Sequence, residues 1–265
     1  MASSGTYLDR IVAAHRAAAA RDDRALGPLQ AQASALPAPR AFGAELARSD
    51  RMAVIAEVKR RSPSKGDLNI DLDPAEMARA YAAGGAACLS VLTDEDFFGG
   101  SPADLAEARD ASGLPVLRKD FTVCELDVVD ARLMGADCVL LIAAALSDDE
   151  LARLQHLARE LLLDVLVEIH DERELERAMR VEPSMIGVNQ RDLVTFQVDT
   201  ARAVRMAPLI PDGVVKVAES GITGLGDAET LASAGYHALL VGETLVRSGD
   251  PTSAVASLRV PRQGA

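Results

Sequence analysis

The chain has 265 residues, 49% hydrophobic and 26% charged, with a formal net charge of −12 from 40 acidic and 28 basic residues. That length suits a single α/β barrel, and a chain of this size buries enough surface on folding to need no disulfide or metal staple. The composition excludes a disordered or collagen-like chain, and an acidic balance without a basic stripe argues against a nucleic-acid binder or a membrane-surface protein.

Aromatic residues make up 3% and tryptophan is absent, which disfavours base-stacking modules. No apolar run approaches about 18 residues, so no membrane-spanning helix is expected. The Ala-rich start is interrupted by Asp9, Arg10, His15 and Arg16 and lacks the apolar core of a signal peptide. The expected setting is the cytoplasm, with neither nucleic acid nor membrane as partner. Cys88, Cys124 and Cys138 form an odd set without a C-x-x-C pair and read as reduced core residues. No H-x-x-x-H, Cys/His cluster or G-x-G-x-x-G after a strand is present, so neither a metal nor a dinucleotide cofactor is expected.

In chain order, residues 1–48 come first: Ala- and Arg-rich, with Tyr7-Leu8 and Ile11-Val12 at helical spacing and Pro28, Pro37 and Pro39 as breaks. They predict one or two helices appended to the main domain. Short apolar runs then alternate with helical stretches. The runs cover residues 53–58, 87–92, 114–117, 137–142, 164–169, 185–188, 214–217 and 238–241. Their spacing of roughly 20 to 35 residues is that of strand–helix units, and their near-continuous apolar character predicts parallel strands buried on both faces. Asp73-Pro74 and Ser101-Pro102 set a cap ahead of a proline at the first helical position. Ser147 with Glu150 makes a capping-box pattern before 151–163. Gly84-Gly85, Gly135 and Gly235 each close a helix shortly before a strand. Repeated in this way, the module predicts an α/β fold: a (β/α)8 TIM barrel with an N-terminal helical extension. Residues 1–48 would cap the barrel and residues 49–258 would form the catalytic unit, together one structural domain.

In that architecture the chemistry sits at the C-terminal ends of the strands. There the sequence places Glu57-Val58-Lys59, Arg118-Lys119-Asp120-Phe121, Glu168-Ile169-His170, Asn189-Gln190-Arg191-Asp192, Glu219-Ser220-Gly221 and Gly242-Glu243. Glu57 and Lys59 are two apart and share a strand face. Any one of these is an ordinary polar strand end. As a set, two lysines, three glutamates and an asparagine must converge on one rim. Gly221 and Gly242 would let backbone N–H groups approach a phosphate, with a short helix after the last strand adding its dipole and Lys59 or Arg60 adding charge. His15, His156 and His237 read as surface or helix-flank residues; His170, two after Glu168, could face the same way and reads as structural or rim rather than catalytic.

The segments Ala56-Glu57-Val58-Lys59-Arg60-Arg61-Ser62-Pro63-Ser64, Phe98-Gly99-Gly100-Ser101, Leu117-Arg118-Lys119-Asp120-Phe121, Gly187-Val188-Asn189-Gln190-Arg191-Asp192-Leu193, Val217-Ala218-Glu219-Ser220-Gly221-Ile222 and Val241-Gly242-Glu243 resemble indole-3-glycerol-phosphate synthases, in the family's order and at its spacing. The resemblance implies a carboxy-lyase of tryptophan biosynthesis that uses no cofactor or metal. Its reaction closes and decarboxylates 1-(2-carboxyphenylamino)-1-deoxyribulose 5-phosphate, giving indole-3-glycerol phosphate, carbon dioxide and water. It further implies Lys119 as general acid at the ketone oxygen and Lys59 as a second cation, near the phosphate. Glu57 and Glu168 become candidate bases or cation stabilisers, Asn189 an orienting group, and Glu219 and Ser220 complete the catalytic set. The division of acid and base steps among Lys59, Lys119, Glu57 and Glu168 stays open. The phosphate would rest on Gly221, Gly242 and Glu243 with Lys59. Phe98 and Phe121 would line the pocket for the aromatic ring, with Ser62 as a further substrate contact and Arg191 at the substrate carboxylate or the rim. The implied partner is this phosphorylated small molecule, and the chain is expected to act as a monomer. One alternative, a phosphoribosylanthranilate isomerase-like barrel, would want a cysteine closing the first strand, where this chain has Glu57-Val58-Lys59. The other, a non-catalytic phosphate-ligand sensor, leaves the paired acids and bases without a purpose.

Overall fold

The computed structural model describes residues 6–48, 50–62, 65–192 and 194–262. Pro63, Ser64 and Leu193 of the quoted motifs, residue 49 and residues 1–5 of the expected extension lie outside the described residues.

The apolar runs form eight parallel strands: β1 (Ala53–Val58), β2 (Cys88–Leu92), β3 (Val116–Lys119), β4 (Cys138–Ile142), β5 (Asp164–Ile169), β6 (Met185–Asn189), β7 (Val215–Glu219) and β8 (Ala238–Val241). They close into a barrel in sequence order, with β1 pairing both β2 (Ile55 opposite Cys88) and β8 (Ala53 opposite Ala238). Three strands run further than their apolar stretches, β6 by Asn189 alone. β3 includes Arg118 and Lys119, and β7 includes Glu219, because these charged residues stay in the ladder: Lys119 pairs with Leu92, and Glu219 with Asn189. Helices follow the strands with the expected start signals. Asp73 and Ser101 accept the N–H of Glu76 and Asp104, and Ser147 and Glu150 make a reciprocal capping box. Each such cap contributes about 1 kcal/mol.

The period-two alternation of a strand sorts its residues into two cores. Val54, Ala56, Val116, Val165, Val167, Ile186 and Val188 face outward and pack beneath the helices. Ala53, Ile55, Leu117, Leu166, Met185, Val217 and Leu240 fill the barrel interior. On five of the eight strands the next inward position towards the C-terminal end is polar: Glu57, Lys119, Glu168, Asn189 and Glu219 follow Ile55, Leu117, Leu166, Gly187 and Val217. Their burial inside the barrel is the direct outcome of this alternation.

The N-terminal segment forms three helices, not one or two: Tyr7–Ala19, Leu26–Ser34 and Phe42–Arg48. Pro28 does not break the second, because in the first turn of a helix no N–H is missed. The third plugs the N-terminal mouth of the barrel, with Phe42 and Leu46 fully buried in the interior cluster. The first lies against the opposite end, where Arg16 pairs with Glu150 at 2.6 Å. The extension therefore reaches both ends of the barrel.

Candidate active site

The C-terminal mouth opens onto a cavity. Its lining includes Glu57, Lys59, Ser62, Phe98, Lys119, Phe121, Glu168, Asn189, Arg191, Glu219, Ser220, Gly242 and Glu243. Of the residues assigned to the site from the sequence, only Gly221 and the alternative phosphate cation Arg60 are missing from this wall. Gly221 lines an adjoining cavity that shares Arg191, Gly242 and Glu243 with the first.

Lys119 is the hub. Its Nζ lies 3.2 Å from Glu168 Oε2 and 3.6 Å from Glu219 Oε2, and both carboxylate side chains are only 2% exposed. Burial works against a charged Lys119, but Glu168, Glu219 and Glu57 outweigh it and raise the ammonium pKa above the ordinary lysine range. Burial likewise opposes an ionised Glu168, yet Lys119, His170 and a hydrogen bond from Asn189 Nδ2 (3.1 Å) hold its carboxyl below the ordinary value. Glu219 goes the other way. Burial and the neighbouring charge of Glu168 push it up to about 8. Two carboxylates flanking one lysine thus hold different charge states at neutral pH, the arrangement that separates acid from base roles.

The raised Glu219 has a consequence for stability. Its proton is bound more tightly in the folded chain, so its contribution is fully present below the ordinary carboxyl value of 4.5 and is lost as pH rises through about 8. Glu219→Gln keeps the neutral shape at all pH values. Above pH 8 the variant is expected to melt about 2–4 °C or more above the parent, with the two converging near pH 5, as thermal unfolding by circular dichroism would record.

At the other side of the mouth Lys59 is ion-paired with Glu57. Ser90 Oγ donates to the second oxygen of Glu57 at 3.5 Å, and Tyr81 donates its hydroxyl proton to the Glu57 carbonyl at 3.2 Å. Gly242 sits against this pair: a Cβ there would overlap the Glu57 carboxylate and come within 3.1 Å of Lys59 Nζ. At the end of β7 two successive residues take left-handed conformations, Ser220 (φ 65) and Gly221 (φ 72), and turn the chain along the second cavity. A side chain at Gly221 would collide with Val198. The helix Glu243–Val246 begins directly after Gly242 and lines the same cavity.

Several lining residues were not singled out from the sequence. Lys65, Thr200, Thr223 and Arg247 line the second cavity, and Phe196 lines both. Lys65 follows the quoted motif directly, and was the one sequence signal within reach. Phe196 carries a left-handed backbone (φ 58), unusual for an aromatic residue and invisible before folding. Arg60, considered for phosphate charge, instead pairs with Asp104. Gly187 also gained meaning: a Cβ there would occupy the space of Glu219 Oε1.

The apolar wall is held from behind by the first helix. His15 is part-buried on that helix and partnered: its Nε2 lies 2.8 Å from Asp94 Oδ2 and 3.8 Å from Asp120 Oδ1. Its ring lies 5.5 Å from Phe121, which in turn lies 6.4 Å from Phe98. Among the described residues His15, Asp94 and Asp120 form a group with metal-ligand spacing. Its atoms are already engaged, because Asp94 Oδ1 caps the Phe97 N–H and Asp120 Oδ2 accepts from Arg118 and Thr93. Tyr7, on the same helix, meets Phe196 edge-on at 5.4 Å. His237 is half-buried, its Nδ1 accepting the Lys216 N–H.

A closed parallel barrel with lysines and carboxylates facing each other across its C-terminal mouth defines a (β/α)8-barrel enzyme of acid–base chemistry. Residues 8–258 match the family described as indole-3-glycerol phosphate synthase. A relative described by the same words, from Nocardioides sp. (strain ATCC BAA-499 / JS614), is 57% identical over 208 residues, 78% of this chain and 80% of that one. The chain belongs to the indole-3-glycerol phosphate synthase family, and is a decarboxylating lyase of tryptophan biosynthesis acting on a small phosphorylated substrate. Solved structures share the fold alone. Thiamine phosphate pyrophosphorylase from Pyrococcus furiosus superposes with a TM-score of 0.58 at 14% identity, covering 80% of this chain and 95% of that one. A designed cube-shaped protein cage does so with 0.57 at 13% identity, covering 78% and 70%. Among the described residues no helix is long and apolar enough to cross a membrane.

Proposed function

We propose that the two adjoining cavities divide the substrate between them. The single observation that carries this reading is the position of Lys119, buried between Glu168 and Glu219 at the base of the cavity that Phe98 and Phe121 wall. The phosphate lies in the second cavity against Gly221, Gly242 and Glu243, with Lys65 and Arg247 supplying positive charge and Lys59 at the junction. The aromatic ring lies beside Phe98 and Phe121, with Arg191 at its carboxylate and Ser62 at the rim.

Lys119 donates a proton to the ketone oxygen as the ring carbon attacks the ketone carbon. Loss of carbon dioxide leaves its bonding electrons in the ring and restores aromaticity. A second proton, from Lys59 or a reprotonated Lys119, converts the new hydroxyl into leaving water. Glu57 or Glu168 then removes one proton from the adjacent methylene carbon. Two protons are delivered and one withdrawn, so each turnover takes up one proton, as conversion of a carboxylate into carbon dioxide requires. Asn189, Glu219 and Ser220 orient and tune this set. Residues 1–48 act as the cap and 49–258 as the catalytic unit. The chain acts as a cytoplasmic monomer, a reading supported by its net charge of −12 and by exposed apolar residues such as Leu162, Leu209 and Leu225 falling on separate segments of the chain.

The test is a crystal structure with the substrate's ketone reduced to an alcohol. Lys119 Nζ is expected within hydrogen-bond distance of that hydroxyl, with the phosphate against Gly221 and Gly242. A phosphate bound beside Phe98 and Phe121 would reverse the assignment.

A further inference from the structure

Two residues beyond Glu168, outside the set assigned above, His170 is 11% exposed at its side chain. Its Nδ1 lies 3.1 Å from Glu174 Oε2, and Glu174 also accepts the His170 backbone N–H at 2.8 Å. The other ring nitrogen, Nε2, is buried without a hydrogen-bond partner and stands 3.6 Å from Glu168 Oε1. The contact with Glu174 fixes the ring: Nδ1 carries a proton towards that carboxylate. A neutral ring would then turn the lone pair of Nε2 towards the ionised Glu168, two electron-rich atoms face to face. A proton on Nε2 removes this conflict.

We propose that His170, clamped by Glu174, is a positioning residue that presents a positive edge to Glu168 and keeps that carboxylate ionised for its part in the reaction. The inference rests on the assignment of Glu168 to the catalytic set. The groups around it agree. Burial disfavours the imidazolium, but Glu174 and Glu168 outweigh burial and raise the histidine above its ordinary value, with Arg202 acting in the opposite sense. On the far side of Glu168 stand Lys119, which also favours its ionised form, and Glu219, which is pushed towards the neutral form. Asn189 Nδ2 donates to the same oxygen that faces His170.

The sign follows. A cation 3.6 Å away lowers the carboxyl pKa, so removing it makes Glu168 harder to ionise. The experiment follows Glu168 by the carboxyl carbon shift of 13C-labelled glutamate, together with kcat and KM, between pH 3 and 8, because the titration starts below the ordinary carboxyl value. The proteins compared are the parent, His170→Gln, Glu174→Gln and Glu168→Gln. In His170→Gln the titration of Glu168 and the acid limb of kcat are expected to move up by about half to one pH unit, with KM changed less than about twofold. Glu174→Gln, a milder change at a partly exposed residue, should move both in the same direction by less. It decides the matter alone if His170→Gln does not fold. A merely structural histidine would scale kcat equally at every pH, and an unmoved or lowered titration overturns the proposal. Near-normal turnover in Glu168→Gln would instead remove the underlying assignment, and the proposal with it.

Discussion

Lys119→Ala is expected to lose at least about 10²–10⁴ of turnover while the barrel still folds. A positioned general acid contributes about that factor, and the other lysine of the mouth is held away from its place. Lys59 is engaged with Glu57 on the other side of the mouth. The raised pKa of Lys119 means that it holds its proton firmly beside Glu168 and Glu219 and is by itself a weak acid. It becomes a donor when the ketone oxygen gathers charge beside it, since only then does an acceptor basic enough exist. Truncation leaves Glu57, Glu168 and Glu219 close together without their lysine. Buried like charges relieve themselves by taking up a proton, and Glu219, already pushed up to about 8, is the site that takes it. Catalysis should therefore fail far more severely than folding. Steady-state kinetics beside a thermal melt would separate the two, and near-normal turnover would refute the role of Lys119.

Gly242→Val is expected to lower kcat/KM by about 10²–10³. The reason lies in packing: the added Cβ would overlap the Glu57 carboxylate and crowd Lys59 Nζ, and a misplacement of about 1 Å can cost some 10² in rate. Because Gly242 lies where the two cavities meet, both kcat and KM should change. Gly221→Val bears on the phosphate end alone. There a side chain meets Val198, and a β-branched residue must hold φ near +72°, so KM should rise with a smaller effect on kcat. An unchanged KM in both variants would count against the phosphate site.

The barrel could be read from the sequence because its signals are local. A buried parallel strand is an apolar run, a cap is a Ser or Asp ahead of a proline, and a helix end is a glycine. All eight strands of the barrel rest on such cues. The apolar pattern alone stops short of the ends of β3 and β7, because Lys119 and Glu219 break it while staying in the ladder. The site was legible as a set of strand ends, since closure forces Glu57, Lys119, Glu168, Asn189 and Glu219 to face one another whatever their separation along the chain. What escaped depends on contacts between distant segments. Nothing near His15 in the sequence marks Asp94, 79 residues away, as its partner. The same holds for Phe196 and Arg247, whose places on the wall come from tertiary packing. For His170 the spacing from Glu168 gives a shared strand end but not the direction of Nε2.

The account stands on side chains from separate strands acting together on one substrate at one mouth. The most direct measurement is to add 1-(2-carboxyphenylamino)-1-deoxyribulose 5-phosphate to the purified chain and record indole fluorescence and released carbon dioxide together. The account predicts both, in equal amounts and without added metal or cofactor, and predicts their joint loss in Lys119→Ala. Substrate consumed without gas, or binding without turnover, would contradict it.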